Sequence, residues 1–207
     1  MSLVLLLPLL LTPPASAKAP KRAASSASEA HAEPAAEAAA EPVAAPAVPR
    51  FARMEVPGCG CALYAPSGLA FDPPTKSEDG SDVWTGEAAV DRWHFGAVVV
   101  KFAVPMQAST EAAPGDDMEA LLISYMDFLK TQLSITSAAG VGRGHTHAEN
   151  PSARGVIDYW EDKDGDHWAV KGWVDADRLA VMFVYGPGDY PYLTAQQLYL
   201  DGFRFQP

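Results

Sequence analysis

The sequence predicts an α+β domain built on an antiparallel sheet, and three stretches carry that expectation. Arg154 to Tyr185 reads as three consecutive antiparallel strands, Asp91 to Pro105 contains a long apolar strand, and Asp116 to Ser134 reads as an amphipathic helix. A helix with an apolar stripe and a sheet with an apolar face each supply what the other needs to bury.

In the first of the three strands Val156, Asp158 and Trp160 alternate with Ile157 and Tyr159. In the second, Trp168, Val170, Gly172 and Val174 alternate with Ala169, Lys171 and Trp173, and Leu179, Val181, Phe183 and Tyr185 mark the third. Period-two patterning rich in β-branched and aromatic residues suits a pleated, half-buried surface. Asp164-Gly165 supplies the positive φ for the first reversal, and Asp175-Ala176-Asp177 makes the second. Asp162, Asp164 and Asp166 alternate like the start of an EF-hand loop, but Gly165 precedes Asp166 and a tryptophan-bearing strand follows at once. The expected structure there is a solvated hairpin tip.

At the N-terminus, Leu3 to Leu11 is almost wholly apolar and Ala15-Ser16-Ala17 follows. That combination predicts a secretory signal peptide at residues 1–17, cleaved after Ala17. The run is shorter than the roughly 20 residues of a membrane helix, and no cysteine follows the cleavage site, so no stable membrane anchor is expected. The mature protein is expected in the periplasm or secreted outside the cell. Residues 18–50 are rich in Ala, Pro and Glu without aromatics, and they predict a disordered tether. Residues 51–207 then form a single domain carrying 11 Lys and Arg against 22 Asp and Glu, which is the whole net charge of −11. Such a surface repels phosphate backbones and anionic lipids, which argues against nucleic-acid and membrane partners and leaves a protein partner, including a basic one.

Within the domain, Phe51 to Pro57 leads into Gly58-Cys59-Gly60-Cys61 and a strand at Ala62-Leu63-Tyr64. These are the only two cysteines, and three readings are open for Cys59 and Cys61: a structural disulfide, a redox-exchange pair, or a soft-metal site. Ser67 to Pro74 reads as turn, short strand and stop, Lys76 to Asp82 as loop, and Val83 to Ala88 as a short strand. The near-continuous apolar run around Trp93 to Phe102 predicts a central strand covered on both sides, with His94 hydrogen-bonded or at an edge. In the helix, Asp116 and Glu119 resemble a capping box, and Met118, Leu122, Tyr125, Leu129 and Leu133 recur at helical spacing.

Gly140 to Gly144 lacks the lysine of a phosphate loop. His145-Thr146-His147 has the spacing of a metal half-site, with a solvated loop as the competing reading, so His145 and His147 are metal candidates only. His147-Ala148-Glu149 matches the start of the zinc-deaminase signature, yet no Pro-Cys-x-x-Cys lies downstream. Leu193 to Leu200 predicts a short helix with Leu193, Leu198 and Leu200 inward, before Gly202-Phe203-Arg204-Phe205 closes the domain. There is no Gly-x-Ser-x-Gly, His-Glu-x-x-His or Walker lysine, so no catalytic residue and no cofactor is assigned.

The order of elements from about Cys61 to Phe205 resembles the PsbP-like α/β sandwich superfamily. The likeness is carried by Leu69-Ala70-Phe71-Asp72-Pro73, the mid-chain helix, the aromatic stretch Tyr159 to Tyr185, and the ending Leu198 to Phe205. It implies a central antiparallel sheet with helices packed on its faces and a non-catalytic binding or assembly role, and it carries over no functional residue. The function expected is therefore an exported binding or assembly module with a protein partner. The alternative is a thiol-disulfide redox or soft-metal-handling protein using Cys59 and Cys61, with His145 and His147 as possible further ligands.

Overall fold

A computed structural model describes residues 49–106 and 115–205. The expected signal peptide, and the tether up to residue 48, lie outside the described residues. In chain order the elements are β1 (Phe51–Val56), β2 (Cys61–Pro66), β3 (Ala70–Phe71), β4 (Thr75–Lys76), β5 (Asp82–Val90), β6 (Trp93–Lys101) and α1 (Asp116–Gln132). They continue as β7 (Ile135–Ala138), β8 (Gly142–Thr146), β9 (Arg154–Asp162), β10 (His167–Val174), β11 (Arg178–Gly186), α2 (Leu193–Leu200) and β12 (Arg204–Phe205).

The three strands expected from alternation are β9, β10 and β11, with Trp168 facing Trp160 on one side and Tyr185 on the other. They lie in a nine-stranded antiparallel sheet ordered β3-β5-β6-β11-β10-β9-β7, with β4 added on β5 and β8 on β9. The apolar strand β6 sits between β5 and β11, well inside that sheet. A second sheet has the order β1-β2-β12.

The two faces of the main sheet are buried by different partners. On one, Val98, Val156, Val170, Val174 and Val181 meet Leu122, Met126 and Leu129 of α1. On the other, Phe95, Ala97, Ala180, Met182 and Trp173 meet Val56 and Leu63 of the small sheet and Tyr199 and Leu200 of α2. The Tyr199 hydroxyl donates to the Gly96 carbonyl at 2.7 Å, which ties α2 to the backbone of the central strand.

This architecture corrects the expectation of a central sheet with helices packed on its faces. Among the described residues 48% are strand and only 17% helix, in two helices, and the domain is mostly β. The helix α1 lies against β9 and β10, while much of the opposite face is covered by a sheet rather than by a helix layer. Of the covering strands only β2 is signalled in the sequence, at Ala62-Leu63-Tyr64, because β1 alternates weakly, with Arg53 and Glu55 exposed, and β12 has two residues.

Two local expectations also change. Gly115 occupies the N-cap of α1 with no side-chain cap, and the Glu119 carboxylate instead accepts from the Gly144 backbone N–H at 3.0 Å. In α2, Ala195, Tyr199 and Leu200 are buried, whereas Leu193 and Leu198 are 67% and 44% exposed.

Gly172 of β10 marks the closest approach of α1 to the sheet: a Cβ there would lie 2.5 Å from Leu122 Cδ1. Gly172→Ala is expected to destabilise by about 1–3 kcal/mol through overpacking, and Leu122→Ala by about 2–5 kcal/mol through the cavity it leaves. The double variant should be less destabilised than the sum in urea denaturation, because the new methyl fills part of the cavity; additivity would contradict this packing.

Candidate functional site

Cys59 and Cys61 are joined by a disulfide in the turn between β1 and β2, where Val56 pairs with Cys61. Gly60, between them, takes φ +69°, a left-handed conformation that a residue without Cβ adopts cheaply. Both cysteines are 1% exposed and belong to the core beneath the small sheet. Arg178 donates to the Gly60 carbonyl and Lys101 to the Gly58 carbonyl at 3.5 Å, so cations brace the outside of the turn. The folded hairpin thus gives an attacking thiolate no direct line to either sulfur.

The two histidines are not brought together as a metal half-site. His147 is buried between the rings of Trp173 and Phe205. Its Nδ1 accepts from the backbone N–H groups of Glu149 and Asn150, at 3.2 and 3.1 Å, so Nε2 carries the proton and donates to the Phe203 carbonyl at 2.8 Å. Every polar atom of the ring is occupied by backbone. His145 lies in β8, partly exposed; burial and then the nearby Lys171 charge lower its pKa, against the pull of Asp201 and Glu119. Among the described residues no group of three or more His, Cys, Asp or Glu is placed to hold a metal ion.

The acidic turn is self-satisfied. Asp162 Oδ1 accepts from the N–H groups of Asp164 and Asp166, and Oδ2 from Trp168 Nε1 at 3.0 Å. His94 has a carboxylate partner that sequence spacing did not reveal: Glu87 Oε1 lies 2.6 Å from its Nδ1 and also accepts from the Tyr185 hydroxyl. Asp158 is buried under α1, where Lys130 pairs with it at 2.9 Å. Burial pulls the Lys130 pKa down, but Asp158 and Asp127 more than offset it and the net direction is up.

Elsewhere among the described residues lies an open cleft of about 660 Å³. Its floor is the part of the main sheet that the small sheet leaves uncovered: Ile157 and Tyr159 of β9, Ala169 and Lys171 of β10, and Val184 of β11. Its wall is α2 with the segment before it, which turns back after β11 ends at Gly186. A Cβ at Gly186 would lie 2.7 Å from the Trp93 ring, and Trp93 Nε1 donates to the Gly188 carbonyl at 3.3 Å, which holds the turn against β6.

Lys171 fixes the wall to the floor. Its ammonium, almost fully buried, pairs with Asp201 and lies 4.7 Å from the centre of the Trp173 ring. Asp201 is the C-cap of α2, an unfavourable place for a lone carboxylate and a favourable one for a cation. Trp173 Nε1 adds a bond to the Leu200 carbonyl at 3.1 Å. At the other end of the cleft, Glu161 faces His167 across the strands, and His167 Nδ1 lies 3.1 Å from Asp189. Tyr159 and Leu193, which both line the cleft, are 53% and 67% exposed.

None of these cleft residues was marked as functional by sequence reasoning. The one usable signal was Lys171, a charge on the covered face of Trp168-Ala169-Val170-Lys171-Gly172-Trp173.

No protein-family model matches the chain, and no curated protein sequence matches it. None of the described helices is long and apolar enough to cross a membrane.

Removing either partner of the ion pair is expected to differ in cost. Asp201→Ala strands a buried ammonium and should destabilise by about 1–3 kcal/mol. Lys171→Met keeps the packing and leaves Asp201 free to hydrate, so it should cost less. Urea denaturation with the order reversed would contradict this account of the pair.

Proposed function

We propose that the protein is a non-catalytic binding module that receives a segment of a protein partner in the cleft between β9, β10 and α2. The observation that carries this reading is the exposure of Tyr159 and Leu193 at a cleft of about 660 Å³ whose buried charge is already neutralised. Large exposed apolar side chains around a preformed concavity are the usual anchor points of recognition surfaces.

The polar groups of the cleft support binding over chemistry. Lys171 is held by Asp201 and His167 by Asp189, and among the described residues no serine or cysteine side chain is hydrogen-bonded to a histidine. In this reading residues 1–17 direct export and residues 18–50 tether the domain.

Photo-crosslinking in the native host tests the proposal. A benzophenone amino acid at Leu193 should give a discrete adduct with another protein, while the same group at the exposed Glu78, outside the cleft, should not. Adding Tyr159→Ala should weaken the Leu193 adduct. No adduct at Leu193, or identical patterns at both positions, would overturn the reading.

A further inference from the structure

Building on the binding reading above, we propose that the segment received by the cleft is cationic, with lysine or arginine side chains interleaved with apolar ones. The charge of the lining decides the sign. Three carboxylates, Glu161, Asp189 and Asp201, stand against one ammonium, Lys171, and one imidazole, His167, whose Nδ1 lies 3.1 Å from Asp189. The carboxylates are also the accessible charges: the side chains of Asp189 and Asp201 are 94% and 54% exposed, whereas that of Lys171 is 9% exposed.

An anionic ligand would have to displace Asp201 from Lys171 and then sit beside Glu161 and Asp189. A cation meets carboxylates that are already exposed, and the domain's net charge of −11 steers it there.

A second observation concerns polar satisfaction. Tyr190 lines the cleft, is 6% exposed, and its buried hydroxyl has no hydrogen-bond partner. That hydroxyl has essentially no accessible surface, so it accepts from an ammonium or guanidinium only when the ring turns it into the cleft; leaving it unpaired is costly. The exposed ring of Tyr159 offers a cation a further favourable surface.

Spacing sets the pattern. Tyr159 and Glu161 are two apart on β9 and point to the same face, roughly 7 Å from one another along the strand. Side chains at i and i+2 of an extended chain have the same separation. An extended partner running along this floor places a basic side chain at Glu161 and Asp189 when an apolar one sits over Tyr159.

The test is fluorescence anisotropy of the full chain with three labelled nonapeptides, alternating Lys–Leu, Glu–Leu and Ser–Leu. The Lys–Leu peptide should bind, more weakly as salt rises, and the Glu–Leu peptide should not. Glu161→Gln with Asp189→Asn should weaken Lys–Leu binding about tenfold. Removing two charges elsewhere, Glu55→Gln with Glu78→Gln, should change it by less than about twofold. Equal losses in the two double variants would mean that net charge alone attracts the peptide, and equal binding of Glu–Leu would remove the sign preference; either overturns the proposal. All four substituted side chains are exposed, and matching near-UV circular dichroism confirms that the variants fold. A partner crosslinked at Leu193 without Lys–Leu binding would overturn the cation preference alone. Failure of both would overturn the binding reading as well.

Discussion

The position of β10 between β9 and β11 is the constraint on which the rest of the domain depends. Both of its faces carry large side chains, Trp168, Val170 and Val174 on one and Ala169 and Trp173 on the other, so both must be covered. The helix α1 covers the first, closely enough that Gly172 has to lack a side chain beneath Leu122. The small sheet and α2 cover the second. No residue of β1, β2 or β12 lines the cleft, so the floor around Ala169 and Lys171 is left to α2 and the turn before it. The cleft is the part of the second face that the small sheet does not reach.

Lys171 makes that incomplete cover stable. A buried ammonium without a partner is strongly destabilising, and the carboxylate that satisfies it belongs to the last turn of α2. One ion pair therefore serves two ends: it neutralises the floor and pins the wall. Because Asp201 is half exposed while Lys171 is not, the pair leaves negative potential at the surface of the cleft. Glu161 and Asp189 add to it at the far end.

Much of this was legible in the chain. The strands β9, β10 and β11 follow from alternation and from the turn residues Gly165 and Asp175, and Leu122 and Leu129 of the buried helix stripe follow from helical spacing, whereas Met126, buried beside them, does not belong to the stripe read from spacing. The strands β7 and β8 were not, since Ile135-Thr136-Ser137-Ala138 and Gly142 to Thr146 are mostly exposed edge segments held by backbone pairing to β9. Edge strands of this kind carry no hydrophobic period to read. In α2 Leu200 is buried as expected, but Leu193 and Leu198 are exposed, because the buried row runs through Ala195, Tyr199 and Leu200. His147 was legible as a candidate ligand, but its backbone partners at Glu149, Asn150 and Phe203 become visible only in three dimensions. The cleft belongs to the same class, because it is defined by where the small sheet stops.

The measurement that bears most directly on the cleft as the binding surface is an amide chemical-shift map of the full chain titrated with the alternating Lys–Leu peptide. The account predicts shifts concentrated at residues 157–161, 167–171 and 188–201, with β1, β2 and the Lys76 to Asp82 turn unmoved. Shifts spread evenly over the acidic surface, or centred on the Cys59–Cys61 turn, would contradict it.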